Sequence, residues 1–424
     1  MLETLTLQNL GPAAQLDFTF GERLNVITGD NGLGKSFVLD VAWWALTRTW
    51  ADDHPVYPAT GVNEASISYH VHGKSGPNDK VECRFRRETL DWQLPKRRPP
   101  SPGFILYARI DGGFSLWDPE RNYWHEDTAA GPDRPPSFQF GKQDLWEGLK
   151  DKTGKVICRG LLEDWETWSL RANGAFAMLE SVLADLSPAG PEFPLRAGRS
   201  VRVPDMGVRD VPTLAMPYGN VPLHQASAGI RRILSLAYMI VWAWTEHLAA
   251  AELRGRESTK RIVLLWDEVE AHLHPQWQRT ILPAVVKVLG RLLQQADGTQ
   301  VQIIATTHAP FVLASLETLF EDERDRLFNL ELNAQGRVRL ERIAWAKQGD
   351  VVEWLRSPAF DMRSGYSREA ETALQAAQNW LAGRRHALPA NLASQQEIER
   401  ELRRTLADDD PFWPRWIVTT GGAR

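Results

Sequence analysis

Hydrophobic and polar residues alternate in the first part of the chain, a pattern that is typical of half-buried strands. Residues 1–10 and 15–20 alternate in this way, and residues 24–28 form a short, mostly apolar run. A helical pattern follows residue 35 and ends near Trp50, so the helix is expected to contain about 15 residues. The N-terminal part therefore predicts three strands and then a helix.

The next part of the chain combines strand patterns with clusters of Pro and Gly. These clusters, at residues 95–103 and 131–136, are typical of exposed loops. We expect an antiparallel β layer that carries one or two insertions. Its predicted strands are residues 65–71, 81–87, 104–110 and 114–117.

The middle of the chain returns to a helical pattern at residues 144–186, followed by a strand near residues 200–203. A long helix then begins near Ala228 and should be buried, because it is apolar on almost all sides. After Gly255, strands and helices alternate, which predicts a parallel sheet with crossover helices. These elements are predicted at residues 261–266, 276–295, 301–306 and 310–316.

The C-terminal part is expected to begin with a hairpin and to continue as helices. The predicted hairpin strands are residues 326–332 and 338–343. Helices are predicted at residues 369–382 and 394–406. The final segment, DDDPFWPRWIV, is expected not to be helical, and its Trp413 and Trp416 are expected to dock on a protein core or a partner.

The composition is that of a soluble globular protein, since 43% of the 424 residues are hydrophobic and 24% are charged. A net charge of −5 gives no general attraction to nucleic acid or to an anionic membrane. Cys83 and Cys158 fit neither a metal site nor a disulfide framework, which favours a reducing compartment. Because no uninterrupted apolar run approaches the length of a membrane span, we expect a cytoplasmic protein without membrane contact.

The turn between the third strand and the first helix has the spacing of a phosphate-binding loop, G-x4-G-K-S. Glycines let successive backbone N–H groups point into one concavity, and the helix N-terminus adds its positive dipole end. The lysine supplies a charge near the outer phosphates, and the serine hydroxyl is a ligand for Mg²⁺. The residues of this loop are Gly29, Asp30, Asn31, Gly32, Gly34, Lys35 and Ser36.

A second candidate segment is the apolar strand RIVLLWDE, which ends in Asp267 and Glu268. Beside the phosphate-binding loop, Asp267 would hold Mg²⁺ directly or through water. Glu268 would orient or deprotonate an attacking water. Two carboxylates at the end of a strand are a weak signal on their own, and an ordinary acidic strand end is the alternative.

Two further segments complete the candidate site. His308 follows the strand VQIIAT, at the sheet edge where open α/β folds bind ligands, and could contact the terminal phosphate. A histidine that only caps a helix is the alternative. Ser227 and Gly229 open the long apolar helix and could bind an anion, although Ser227 would also serve as an ordinary N-cap.

These four segments, in this order, resemble the ABC-type ATPases of the RecF, structural-maintenance-of-chromosomes (SMC) and OLD (overcoming lysogenization defect) group, often labelled AAA family ATPases in bacteria. Residues 29–36 match the G-x-N-G-x-G-K-S loop, or Walker A motif, of the group. Residues 266–275 resemble its Walker B motif and D-loop, D-E-P-E-x-H-L-H-P, and residues 306–310 resemble its T-T-H-S-P switch. Ser227-Ala228-Gly229 stands where the signature Ser-Gly-Gly of the group lies.

The resemblance implies an α/β fold: an ABC-ATPase-like P-loop head with an antiparallel β layer and helical insertions, plus a helical C-terminal segment. We expect the head at residues 1–345, with an insertion at about 51–220, and the segment at residues 346–424.

The resemblance also implies a mechanism. Two heads would dimerise around ATP and Mg²⁺, each nucleotide lying between Walker A of one copy and Ser227 and Gly229 of the other. Glu268 would be the general base and His308 the sensor of the terminal phosphate. The glutamine of the Q-loop is expected to be Gln143, with Gln139 as the second candidate.

Several departures from the group narrow its functions. The signature reads Ser-Ala-Gly, and Val269 replaces the usual proline. The segment between the Walker motifs has no long coiled coil, which argues against a chromosome-tethering role. The tail lacks the acidic pattern of a Toprim nuclease, so we expect no nuclease within this chain.

Three functions stay open. The first is an ATPase switch that controls a separate effector, such as a nuclease, in anti-phage defence. Within the group the chain most resembles ATPase subunits of the Septu type, and residues 366–371 are similar to a stretch found after their ATPase core. The second is a RecF-like repair clamp that binds duplex DNA. The third is a scaffold that holds ATP without turnover, against which Glu268 argues.

The repair clamp requires a basic stripe on the surface. The candidate residues are Arg84, Arg86, Arg87, Lys96, Arg97 and Arg98. A solvated loop is the alternative explanation for this charge run.

Overall fold

The structure is a computed structural model, and it describes residues 1–59, 61–62, 64–73, 80–94, 101–122, 136–171, 174–188, 195–204, 210–293, 299–362 and 364–421. The chain divides into two compact units. The larger unit contains residues 1–354 and 358–360, and the smaller one contains residues 355–357 and 361–424.

Among the described residues, the strands fall in the larger unit. Their bounds are β1 (Leu2–Leu10), β2 (Ala13–Thr19), β3 (Leu24–Gly29), β4 (Ser66–Val71), β5 (Val81–Arg86), β6 (Asp91–Trp92), β7 (Phe104–Ala108), β8 (Phe114–Trp117), β9 (Phe138–Phe140), β10 (Leu149–Lys150), β11 (Val156–Cys158), β12 (Ala197–Arg202), β13 (Asp210–Met216), β14 (Gly219–Pro222), β15 (Arg261–Trp266), β16 (Gln300–Thr306), β17 (Arg326–Leu332) and β18 (Val338–Ile343).

Helices occur in both units. Their bounds are α1 (Lys35–Thr47), α2 (Lys142–Glu147), α3 (Leu161–Leu170), α4 (Ala175–Leu186), α5 (Ala228–Leu253), α6 (Pro275–Gln278), α7 (Ile281–Leu293), α8 (Pro310–Ser315), α9 (Val351–Arg356), α10 (Arg368–Leu381), α11 (Gln395–Thr405) and α12 (Trp413–Thr420).

A mixed central sheet organises the larger unit, with the strand order β18-β17-β3-β16-β15-β7-β8-β9. Its five inner strands, from β17 to β7, run parallel, and antiparallel strands flank them on both sides. A second sheet, with the order β2-β1-β4-β5-β6, is antiparallel throughout. This architecture confirms the predicted α/β head with an antiparallel layer.

The two faces of the central sheet are covered by different layers. Val26 and Leu264 belong to a core shared with α4, α5 and α7. Their neighbours Ile27 and Leu265 belong to a core shared with α1 and the antiparallel sheet. Because successive side chains of a strand point to opposite faces, the apolar strands of this sheet are buried on both sides.

The long apolar helix α5 is a core helix. It has the length and composition of a membrane span, but 72% of its most apolar 18-residue stretch is buried inside the protein. This burial agrees with the prediction from its all-round apolar pattern.

Four details differ from the sequence prediction. Residues 144–186 were expected to be helical, but a short antiparallel strand pair, β10 and β11, lies between α2 and α3. Residues 104–110 and 114–117 were expected in the antiparallel layer, but β7 and β8 lie in the central sheet, where β7 pairs in parallel with β15. The helix expected over residues 276–295 is divided into α6 and α7. The final segment does contain a helix, α12. Its Pro414 lies in the first turn, where a missing N–H group is tolerated, so this proline does not prevent the helix.

The smaller unit has an apolar core of its own. Ala373 and Ala377 of α10 pack there with Ile398 and Leu402 of α11 and with the fully buried Trp416 of α12. The expected docking of Trp416 on a core is therefore confirmed.

Candidate nucleotide site

Three neighbouring parallel strands bring the predicted motifs to one edge of the central sheet. β16 lies between β3 and β15, with Thr306 opposite Ile27 and Ala305 opposite Trp266. β3 leads into the phosphate-binding loop, β15 into the two carboxylates, and β16 into His308. Parallel strands end at the same edge, so the loop, the carboxylates and the imidazole share one site.

Two glycines of the loop allow close backbone approaches. Gly29 has a φ of 133°, and a Cβ atom there would lie 2.3 Å from the carbonyl oxygen of Leu330. Gly34 has a φ of 93°, and a Cβ atom would lie 2.7 Å from Pro12. Other side chains would therefore strain both the backbone and its contacts.

The loop has the charge pattern of an anion site. The N-terminus of α1 has neither a side-chain cap nor an acidic residue in its first turn, which leaves its N–H groups and positive dipole end available to an anion. Asp30, Asn31 and Gly32 are exposed, and Ser36 is half-buried.

Lys35 is folded back onto the loop. Its Nζ donates to the carbonyl oxygens of Gly29 (2.7 Å) and Asp30 (3.0 Å). Burial lowers the pKa of Lys35, while the charges of Glu268 and Glu270 act in the opposite direction. These contacts place the ammonium group in the concavity of the loop, among the carboxylates of the site.

The Thr306 hydroxyl connects the two carboxylate residues. It donates to Oδ1 of Asp267 (2.7 Å) and accepts from the backbone N–H of Glu268 (2.8 Å). Asp267 and Thr306 are fully buried, whereas the Glu268 side chain is 21% exposed. Glu268 has a φ of 44°, an uncommon value for a residue with a side chain. Strain at this position is typical of a functional site.

A buried carboxylate holds His308. Oε1 of Glu270 accepts from the backbone N–H of His308 (2.6 Å) and lies 2.9 Å from its Nδ1. Oε2 of Glu270 accepts from the Thr307 hydroxyl (2.7 Å). The hydrogen bond to Glu270 raises the pKa of His308. Burial acts to raise the pKa of Glu270, but the hydrogen bonds from His308 and Thr307 outweigh it and leave that pKa lowered.

The signature segment begins α5 and lies against the loop after β15. Ser227 is the N-cap of α5 and accepts from the backbone N–H of Ile230 (3.4 Å), so it does serve as an ordinary N-cap. A Cβ atom on Gly229 would lie 2.7 Å from the carbonyl oxygen of His272, which explains the need for glycine there. Ser227 and Ala228 are exposed.

The two glutamine candidates have different surroundings. Gln143 is exposed on α2 and contacts Glu147 (3.3 Å). The side-chain oxygen of Gln139 accepts from Arg109 (3.2 Å) and from Ser115 (2.5 Å). Arg109 follows Ala108, whose carbonyl oxygen accepts from the backbone N–H of Asp267 (2.9 Å). Gln139 is thus connected to the carboxylate strand.

Sequence reasoning missed three residues that build the site. Thr306 lies in residues 306–310 and Glu270 in residues 266–275, but only the structure shows that they bridge or hold the candidate catalytic groups. Arg232 follows the signature on α5, and its guanidinium donates to the carbonyl oxygens of Asp267 (3.2 Å) and Ile110 (3.3 Å). The sequence did offer one signal for Arg232: it follows Gly229 by three residues on a helix, so the two residues lie on the same helix face.

The donor set fits Mg²⁺ bound together with phosphates. Ser36 and Asp267 would supply oxygen ligands from two adjoining segments, and Mg²⁺ commonly takes only one or two protein ligands beside phosphates and water. Within the described residues, no group of three or more His, Cys, Asp or Glu side chains forms a separate metal site.

The predicted basic stripe is only partly described. Arg84 pairs with Glu82 (2.8 Å), and Arg87 donates to the carbonyl oxygens of Val62 (2.8 Å) and Ala59 (3.1 Å). Arg86 is exposed. Lys96, Arg97 and Arg98 lie outside the described residues.

Two known protein families match separate parts of the chain. Residues 4–101 match the family "AAA domain", and residues 218–314 match the family "AAA domain, putative AbiEii toxin, Type IV TA system". The first match contains the phosphate-binding loop, and the second contains the signature, both carboxylates and His308. The two matches and the assembled site identify the chain as an ATPase with a P-loop head.

The chain is also similar to several solved structures. An SMC head domain from Thermotoga maritima is 15% identical, with 81% of this chain and 99% of that chain covered and a TM-score of 0.37. An SMC head domain bound to the C-terminal domain of ScpA, derived from Pyrococcus furiosus, is 12% identical, with 81% and 96% covered and a TM-score of 0.38. The recombination mediator protein RecF is 12% identical, with 81% and 98% covered and a TM-score of 0.38.

Proposed function

We propose that this ATPase is a nucleotide-dependent switch, in which two copies close head to head around ATP and separate after hydrolysis. The observation that carries the proposal is the Thr306 bridge, which fixes Asp267 and Glu268 beside the phosphate-binding loop. A binding loop without turnover would not need this arrangement of a buried and a partly exposed carboxylate.

The proposed dimerisation is supported by the exposure of two parts of the site, the phosphate-binding loop and the start of α5. Asp30, Asn31 and Gly32 of the loop are exposed, and so are Ser227 and Ala228 at the start of the 26-residue helix α5. A helix N-terminus attracts phosphate, so the α5 end of one copy fits over ATP held by the other. If each copy covers the ATP of the other in the same way, the interface is two-fold symmetric.

The chain's own residues account for the hydrolytic step. Glu268 is accessible to solvent and would accept the proton of the attacking water. Lys35 and His308 would face the charge of the terminal phosphate. Ser36 and Asp267 would hold Mg²⁺, which supplies positive charge to the phosphate oxygens. Gln139, through Arg109, is better connected to this strand than Gln143.

We infer further that the switch acts in the cytoplasm on a separate effector, such as a nuclease, in anti-phage defence. Support comes from the resemblance to Septu-type ATPase subunits and from the toxin–antitoxin family that residues 218–314 match. Direct binding of DNA is the alternative, and the ion-paired Arg84 and carbonyl-bound Arg87 do not favour it. Partner capture by the purified chain, with and without ATP, tests the effector proposal.

Mixing two inactive variants tests the head-to-head site. Lys35→Ala removes the loop cation, and Ser227→Asp places a negative charge where the partner's phosphate would lie. Aspartate is as good an N-cap as serine, so α5 should stay intact. Each variant alone should lose ATP turnover. An equal mixture should recover about a quarter of wild-type turnover, since half of the dimers are mixed and each has one complete site.

A single-chain site gives a different result. If each copy completes its own site, the mixture stays as inactive as its components. Circular dichroism of both variants controls for folding, and Thr405→Val, in the smaller unit, serves as a neutral reference variant.

A further inference from the structure

A cavity of ≈ 130 Å³ lies beside the candidate nucleotide site. It is bounded by the first turns of α5, by α2, by the turn between β7 and β8, and by the end of β15. The proposed hydrolytic step uses none of its open space.

The walls of the cavity are aromatic. Phe114 and Trp266 are 4% and 2% exposed, and the half-buried Trp146 stands on α2. The indole N–H of Trp146 donates to the Ser235 hydroxyl on α5 (3.1 Å), which fixes the ring. Aromatic walls that are fixed in place favour a ligand with a flat apolar part over water.

The lining also carries an excess of positive charge. Arg109, Lys142, Arg231 and Arg232 line the cavity with one carboxylate, Asp111. Arg109 and Arg232 already donate within the protein. Among the described residues, Lys142 and Arg231 have no acidic partner, and the buried Nε of Arg231 has no acceptor. Within the described part of the chain, Arg231 and Lys142 therefore leave two unpaired positive charges beside the cavity, and hydrogen bonds between cations and an anionic group are strong.

We propose that this cavity binds a small organic anion with a flat apolar body and one anionic group. Lys142 and Arg231 would pair with the anionic group, and the aromatic walls would contact the body. The volume holds roughly ten water-sized groups, which fits an aromatic phosphate or carboxylate.

The cavity is connected to the ATPase site through Arg232. This residue lines the cavity and donates to the carbonyl oxygen of Asp267 (3.2 Å). A bound anion would therefore shift the start of α5 relative to the carboxylate strand and change ATP turnover. This regulatory role rests on the proposed switch, whereas binding of the anion does not.

Ligand-observed NMR titration without nucleotide tests the binding. The probe is phenyl phosphate, with inorganic phosphate and benzyl alcohol as matched probes that lack the apolar body or the charge. The protein is the full chain carrying Lys35→Ala, which removes the main phosphate contact of the P-loop. Phenyl phosphate should bind at least about tenfold more tightly than either matched probe, as expected when two interactions combine.

Variants locate the bound probe. On the Lys35→Ala chain, adding Arg231→Gln with Lys142→Gln should weaken binding at least about tenfold, as the loss of charged hydrogen bonds predicts. Arg231→Lys should retain more affinity, and Lys155→Gln, an exposed lysine on the β10–β11 turn, should change nothing. Melting curves confirm that each variant is folded.

Three results would overturn the site: no binding of phenyl phosphate, equal binding of all three probes, or binding unaffected by the Arg231 and Lys142 changes. ATP turnover of the wild type with and without phenyl phosphate is measured separately. Binding without a change in turnover would remove only the regulatory role.

Discussion

Glu270 holds His308 at two points, because one carboxylate oxygen lies 2.6 Å from the backbone nitrogen and 2.9 Å from Nδ1 of that residue. The first contact fixes the chain after β16, and the second fixes the ring. Nδ1 is therefore occupied, and Nε2 is the nitrogen left for a ligand. Glu270 is a positioning residue for the phosphate sensor.

Replacing Glu270 should change the pH dependence of ATP turnover. In Glu270→Gln, His308 loses its hydrogen bond to a negatively charged acceptor, which raises the pKa of His308 in the wild type. Glu268 and Lys35 still act on that pKa in opposite directions. The imidazolium is then lost at lower pH, so the alkaline limb of the pH–rate profile should move to lower pH. His308→Gln, the control, should lack this limb, and an unchanged limb in Glu270→Gln would contradict the role of the pair.

The same pair predicts a pH window for stability. The raised pKa of His308 contributes stability fully below its ordinary value of 6.5, and this contribution is lost as the pH rises through the folded-state pKa. The lowered pKa of Glu270 contributes stability above its ordinary value of 4.5, and this is lost as the pH falls through the folded-state pKa. Denaturant unfolding should show the largest gap between wild type and Glu270→Gln between these pH values. A gap independent of pH would rule out the charged pair.

Removing the Thr306 hydroxyl should impair both stability and turnover. Thr306→Val keeps the shape but leaves Oδ1 of Asp267 and the N–H of Glu268 without this partner. We expect a loss of about 1–3 kcal/mol in unfolding free energy and turnover reduced at least tenfold, roughly what 1.4 kcal/mol in the transition state corresponds to. Thr405→Val, whose hydroxyl bonds a helix carbonyl in α11, is the matched control. Normal turnover in Thr306→Val would show that the bridge is dispensable.

Two alanine substitutions in the loop should differ in cost. Gly29→Ala would put a Cβ atom 2.3 Å from the carbonyl oxygen of Leu330, whereas a Cβ atom on Gly32 would meet nothing within 4 Å. Both positions have positive φ, so Gly32→Ala should lose about 1–2 kcal/mol from backbone strain alone. Thermal unfolding should show a clearly larger loss for Gly29→Ala. Equal melting temperatures would mean that β17 can move away from the loop.

The sequence predicted those parts of the site that are continuous in the chain. The phosphate-binding loop and the RIVLLWDE strand each lie within a short segment, and the hairpin of β17 and β18 has the predicted bounds. The hydrogen bonds from Thr306 to Asp267 and from Thr307 to Glu270 join residues almost 40 positions apart, so no local sequence pattern contains them. β7 shows the same limit, because an apolar strand does not reveal which sheet it will join.

The most direct test of the ATPase switch compares the wild type with Glu268→Gln. ATP turnover and mass in solution are measured for both, with and without ATP and Mg²⁺. The account predicts turnover by the wild type, a loss of about 10²–10⁴-fold in the variant as for other general bases, and an ATP-dependent dimer that the variant retains. A wild type that neither hydrolyses ATP nor changes its mass with ATP, or a variant that keeps full turnover, would contradict it.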